Sequence, residues 1–253
     1  MIGVFDSGLG GLATLKDLMR ELPGEDFCYY GDNAHAPYGT KPVEQIRALS
    51  FACTQFLLDK GCQVVVVACN TASSAAIDAM RAHFSVPFVA MEPAVRPAAR
   101  LRKQGRILVL ATQATLRQQL FQARIVECGI QQAVLPVPCP QWVELIEQGF
   151  LHTSQMEQAV QQALVPYRKE RIDVIVLGCT HFAHIRPLIE REARSLWPQA
   201  QVIDGNEGTA HQLSRVLHRA HLRTGRTQGG AVQLYTSGDP AVYLPRMEAL
   251  LHS

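Results

Sequence analysis

Val64-Val65-Val66-Val67-Ala68-Cys69-Asn70-Thr71 is an unbroken β-branched run that stops at a cysteine and two small polar residues. Val174-Ile175-Val176-Leu177-Gly178-Cys179-Thr180-His181 repeats the pattern in the second half of the chain. A parallel strand covered on both faces reads as a continuous apolar run, and its carboxyl end is where α/β folds carry their ligand chemistry. The two stretches therefore predict two buried parallel strands, each ending in a thiol. Two sulfurs facing one ligand from opposite sides suit the transfer of a proton from one face of a carbon to the other.

Working outward, further β-type runs fall at 2–5, 26–30, 86–90, 107–110, 133–137, 201–203 and 232–235. Helical patterns lie between them at 12–22, 42–60, 73–83, 116–127, 141–147, 153–167 and 208–219. This alternation predicts parallel sheets covered by helices. Ile2-Gly3-Val4-Phe5-Asp6-Ser7 is also echoed by Ile107-Leu108-Val109-Leu110-Ala111-Thr112, and each opens one half. The expected fold is thus two similar doubly wound α/β domains with mainly parallel sheets. The crossover falls near 91–97, where Pro93 and Pro97 break structure. The helix and strand after Gly205 return to the first half. The domains are then 1–93 plus 206–253, and 94–205.

Composition narrows the function. The 253 residues are 47% hydrophobic, with 24 basic and 22 acidic residues and a formal charge of +2. So balanced a charge argues against a nucleic-acid partner. Arg215, His218, Arg219, His221, Arg223 and Arg226 read as a solvated face. No apolar stretch is long enough to cross a membrane, and no membrane partner is expected. The first strand follows Met1 directly, without a basic leader, which predicts a cytoplasmic protein. The seven cysteines include no CxxC pair, against a disulfide framework or a structural zinc site.

The segment Gly3-Val4-Phe5-Asp6-Ser7-Gly8-Leu9-Gly10-Gly11-Leu12 reads as strand, glycine-rich loop and helix start. It lacks both the G-x-G-x-x-G spacing and the P-loop lysine. Free N–H groups at a helix start still favour an anion, and a carboxylate serves as well as a phosphate. Asp6 is either an N-cap or a catalytic carboxylate. Tyr30-Gly31-Asp32-Asn33-Ala34-His35-Ala36-Pro37-Tyr38-Gly39-Thr40-Lys41 is dense in turn residues, and the backbone at Tyr38 and Gly39 can hold a second anionic group. Cys28, Cys53, Cys62, Cys128 and Cys139 read as small buried hydrophobes. The repeated context sets Cys69 and Cys179 apart as reactive thiols. Asn70, Thr71 and Thr180 can cap the helices that follow and hydrogen-bond a ligand, and His181 sits close in sequence to Cys179.

Taken together, Gly3–Leu12, Gly31–Lys41, Ala68–Ser73 and Leu177–His181 resemble glutamate racemases, enzymes of bacterial cell-wall precursor synthesis. The resemblance runs across essentially the whole chain. It implies two pseudo-two-fold-related α/β domains with the active site in the cleft between them, in a homodimer. It implies cofactor-independent interconversion of L-glutamate and D-glutamate for peptidoglycan, with no metal. Cys69 and Cys179 would be the acid/base pair, assisted by Asp6 and His181 respectively. Asp6, Ser7, Tyr38, Gly39, Asn70, Thr71, Thr180 and His181 would contact substrate, together with Glu147. The chain departs from the family at Asn33-Ala34-His35, in the run after His181, and at Gly205-Asn206.

Direct inversion needs no cofactor, and none of Lys16, Lys41, Lys60, Lys103 or Lys169 sits in a recognisable pyridoxal context. Competing readings are an aspartate racemase, which differs by one methylene of substrate, a hydrolase with Cys179 as nucleophile and His181 as base, and a non-catalytic amino-acid-binding protein. Metal binding by Asp6, Cys69, Cys179 and His181 ranks last.

Overall fold

The computed structural model describes residues 1–252. In chain order the elements are β1 (Ile2–Asp6), α1 (Gly11–Glu21), β2 (Phe27–Gly31), α2 (Val43–Asp59), β3 (Val64–Val67), α3 (Asn70–His83) and β4 (Phe88–Ala90). Then follow α4 (Val95–Leu101), β5 (Arg106–Ala111), α5 (Gln113–Arg117), α6 (Gln119–Glu127), β6 (Val134–Pro138), α7 (Pro140–Glu147), α8 (Ser154–Leu164), β7 (Ile172–Leu177), α9 (Arg186–Leu196) and β8 (Gln201–Ile203). The chain ends with α10 (Asn206–Arg219), β9 (Val232–Thr236) and α11 (Pro240–His252).

The chain divides into two compact units, Met1–Met91 with Asn206–Ser253, and Glu92–Gly205. The first holds a sheet of order β4-β3-β1-β2-β9, the second a sheet of order β6-β5-β7-β8. Every pairing in both is parallel. If β1, β2, β3 and β4 are matched to β5, β6, β7 and β8, the two orders are the same. The internal repeat is therefore one of topology, with β9 added at the outer edge of β2.

Packing explains the unbroken valine runs. Along β3, Val64 and Val66 enter one core and Val65 and Val67 the other. Along β7, Val174 and Val176 face one core, and Ile175 and Leu177 the opposite one. Side chains alternate across a strand, so a strand covered on both faces must be apolar at every position. In the first unit α1, α10 and α11 cover one face, and α2 and α3 the other. In the second, α7, α8 and α9 cover one face, and α4 and α6 the other.

Three helices lie outside the patterns named from sequence. Pro97 falls in the first turn of α4, where no intrahelical N–H is required, so the expected break is a helix instead. Pro187 likewise sits at the start of α9, and Pro245 lies inside α11. The pattern at 116–127 is two helices, divided at Gln118 by extended backbone. No helix among the described residues is long and apolar enough to cross a membrane.

Candidate active site

The first unit gathers one set of the expected residues at the carboxyl edge of its sheet. Asp6 ends β1 and is fully buried. Its Oδ1 accepts from Gly8 N at 2.9 Å, which curls the glycine loop back on the strand. The N-cap of α1 is Gly10, so Asp6 orders the loop ahead of the helix and does not cap it. Tyr29 Oη donates to Gly8 O at 2.6 Å and pins the same loop from β2. Gly11 has to be glycine: a Cβ there would lie 2.6 Å from Asp6 Cβ. These ties leave Ser7 beside Cys69, with Sγ and Oγ 3.6 Å apart.

Cys69 caps α3 itself, a role the sequence reading gives to the polar residues after it. Its Sγ accepts from Ala72 N at 3.4 Å. An N–H aimed at sulfur from a helix N-terminus stabilises negative charge on it. Asn70 and Thr71 form the first turn of α3 and are 4% and 3% exposed. Asn70 Oδ1 is buried without a hydrogen-bond partner, an arrangement that costs roughly 1–3 kcal/mol unless a ligand supplies a donor.

The Pro37–Thr40 turn follows a cis Ala36–Pro37 bond. Tyr38 is not a surface turn residue: its ring is buried in the same cluster as Phe5, Cys53 and Cys69. Tyr38 Oη donates to Asp32 Oδ2 at 2.5 Å and lies 3.7 Å from Cys53 Sγ. Burial, then the charges of Cys53 and Asp32, push the Tyr38 phenol far above its ordinary pKa and keep it a neutral donor. Burial with the Asp32 charge does the same for the Cys53 thiol.

The second unit gathers the rest. Cys179 follows β7 and leads into a short 3₁₀ helix, Thr180–Ile185. Cys179 Sγ lies 3.8 Å from His181 Nδ1, and His181 Nε2 lies 2.7 Å from Glu147 Oε1. Glu147, the last residue of α7, is 9% exposed, and its chemistry faces the histidine and not the solvent. Burial alone would lower the His181 pKa. The hydrogen bonds and charges of Cys179 and Glu147 outweigh it and hold the imidazole well above its usual range. The line thiol, imidazole, carboxylate can therefore store a proton next to Cys179. Gly178 lets β7 approach β5 closely, since a Cβ there would meet Ala111 Cβ at 2.9 Å.

The two thiols hold matching places, at the ends of β3 and β7 in sheets of the same strand order. Their helpers differ. The first unit has Asp6 at the end of β1, whereas β5 ends in Ala111 and the second unit turns to His181 and Glu147. Of the other cysteines, Cys28, Cys53, Cys62 and Cys139 are buried and Cys128 is partly exposed. Among the described residues, no group of three or more His, Cys, Asp or Glu gathers as a metal-binding set. The sequence reading did not single out Asp32, Tyr29 or Ser237. Asp32 lies in the quoted loop with two of its partners, His35 and Tyr38, but the third, Ser237, is distant in sequence.

Residues 4–213 match the family model described as Asp/Glu/hydantoin racemase. A glutamate racemase of Herpetosiphon aurantiacus is 44% identical over 240 residues, covering 95% of this chain and 93% of the relative. Among solved structures, glutamate racemase isoform RacE1 from Bacillus anthracis superposes with a TM-score of 0.89 at 32% identity, over 100% of this chain and 94% of that one. The glutamate racemase from Francisella tularensis, in complex with D-glutamate, gives 0.83 at 29% identity, over 100% and 93%.

Proposed function

The chain belongs to the Asp/Glu/hydantoin racemase family, and on that premise we propose that it interconverts L-glutamate and D-glutamate by two-base proton transfer between Cys69 and Cys179. It is an amino-acid racemase. The observation that carries the two-base reading is the matched position of the two thiols, each closing a central strand of its own sheet. The relatives' names and the D-glutamate complex of the Francisella protein support the substrate.

In this reading one cysteine, as thiolate, removes the α-proton from one face. The other, as thiol, returns a proton to the opposite face, and the return reaction exchanges their roles. Protons move between carbon and sulfur, and between the Cys179 sulfur and the imidazole beside it, so the scheme requires no cofactor and no metal. The barrier lies in the carbanion, and fixed donors placed where its charge develops lower it most. Backbone N–H groups at Tyr38 and Gly39, with the Ser7, Thr71 and Thr180 hydroxyls, hold the carboxylates. The unpartnered Asn70 Oδ1 accepts from the substrate ammonium. Asp6 supports Cys69. His181, kept cationic by Cys179 and Glu147, stabilises the Cys179 thiolate and resupplies its proton. The same reading makes the protein a cytoplasmic homodimer that provides D-glutamate for peptidoglycan.

The test is proton NMR of L-glutamate with the protein in D2O, without pyridoxal phosphate, alongside chiral analysis. Loss of the α-proton signal with appearance of D-glutamate is the expected result. No exchange from folded, reduced protein overturns the reading. Exchange with aspartate alone moves the substrate and keeps the chemistry.

A further inference from the structure

The Asp32 carboxylate is almost fully buried and receives donors from three places in the chain. Tyr38 Oη donates to Oδ2 at 2.5 Å. Ser237 Oγ donates to Oδ1 at 2.6 Å, and His35 Nδ1 lies 2.8 Å from the same oxygen. Ser237 follows β9, the strand contributed by the returning C-terminal segment, and its backbone N donates to Gly31 O at 3.0 Å. Its hydroxyl also accepts from Ala34 N at 3.1 Å. Next to it, Thr236 Oγ1 donates to Asn33 Oδ1 at 2.8 Å. At the other end, Asp32 N donates to Asp6 O at 3.0 Å, which ties the Asp32 main chain to the strand end that carries Asp6.

A buried phenol must find an acceptor inside the protein. Tyr38 has one in Asp32, and its hydroxyl also lies against the Cys53 thiol, a weak partner. The roll of the Tyr38 ring, and with it the backbone at 38–39, is therefore set by where Asp32 stands. Ser237 and His35 set where Asp32 stands.

We propose that Asp32 is a positioning residue for substrate binding: held by Ser237, just after the C-terminal strand, it fixes through Tyr38 the backbone N–H groups at 38–39 that grip a substrate carboxylate. The proposal rests on the reading that this turn touches glutamate. It makes the segment after β9 part of the binding machinery through its hold on Asp32. Asp32 does no chemistry on the reacting carbon. Its loss therefore weakens ground state and transition state alike, which raises KM and spares kcat.

The experiment measures kcat and KM for L- and D-glutamate with the full chain and with Asp32→Asn, Tyr38→Phe, Ser237→Ala and the double variant Asp32→Asn/Tyr38→Phe. Asparagine keeps the shape but turns one acceptor into a donor that faces other donors. The expected result is a rise in KM of about ten-fold for Asp32→Asn and for Tyr38→Phe, with kcat within about three-fold, as for a lost charge-assisted hydrogen bond. Ser237→Ala raises KM less. The double variant resembles either single one, because both act through one contact. Unchanged KM in folded variants, a fall in kcat at constant KM, or effects that multiply in the double variant would each overturn the proposal. If Asp32→Asn does not fold, Tyr38→Phe and Ser237→Ala decide by the same criteria. Absence of glutamate turnover by the unaltered chain is a separate outcome: it refutes the substrate reading, and this proposal falls with it.

Discussion

Replacing Glu147 by glutamine removes one charge and almost no volume from a buried pair. The side chains of His181 and Glu147 are 2% and 10% exposed, and their atoms are 2.7 Å apart. Deleting one partner of such a pair costs about 3–5 kcal/mol when the other must stay charged. Here the imidazole can release its proton, and the glutamine oxygen can still accept from Nε2–H. What is lost is the charge-assisted part of the bond, about 1–2 kcal/mol. At about 1.4 kcal/mol per factor of ten, that is roughly a 10-fold loss of kcat/KM, and about 100-fold if proton return to Cys179 also slows.

The two directions must suffer equally in kcat/KM, because enantiomers have equal free energy in water and the equilibrium constant stays at unity. Only kcat and KM taken separately can differ between L- and D-glutamate. Stability carries its own signature. The folded-state pKa of His181 is raised, so its contribution is complete below the ordinary value of 6.5, declines above it and is lost once pH passes the folded value. Urea unfolding of Glu147→Gln should therefore show its largest deficit near pH 6, closing as pH rises. A deficit that is flat or grows with pH, or a variant with full kcat/KM, would refute the account of this pair.

Cys69→Ser and Cys179→Ser should each lower racemisation by several orders of magnitude with unchanged circular dichroism, because a serine alkoxide is not accessible to general-base chemistry at neutral pH. Asn70→Ala should raise the melting temperature of the free protein, since it removes a buried acceptor that has no partner, while increasing KM for glutamate. Gly11→Ala should destabilise by about 1–3 kcal/mol in urea unfolding, because its Cβ would meet Asp6 Cβ at 2.6 Å and Tyr29 Oη at 3.0 Å.

The features legible from sequence were those written in local patterns. Val64–Val67 and Val174–Leu177 advertise strands because both faces of each are buried, which forces apolar residues at consecutive positions. Cys69 and Cys179 stood out because the pattern around them repeats. The cap of α3 departs from the expected polar residues, because a thiol takes the place of the usual hydroxyl or amide. Helix α4 was hidden by Pro93 and Pro97, residues that break a helix in its interior but are tolerated at its start. Glu147 could be flagged but not placed, since nothing in α7 announces that its last residue faces an imidazole. The Asp32 network is local in His35 and Tyr38 but not in Ser237, which no pattern ties to that loop. Ser237 is an ordinary hydroxyl in its own surroundings, and its meaning lies in Asp32 and Ala34, 205 and 203 positions away.

The discontinuity of the first unit reverses the usual order of assembly. Domains commonly fold as the chain emerges, the earlier residues first. Here every residue of Glu92–Gly205 is synthesised before the first unit receives α10, β9 and α11. Until then β2 is a bare sheet edge, and the core that Leu213, Leu217 and Met247 later fill is open along α1. The half that starts first is the half that finishes last. A nascent chain stalled before residue 206 would hold one complete unit and one with an exposed strand edge, the form a chaperone or a protease recognises.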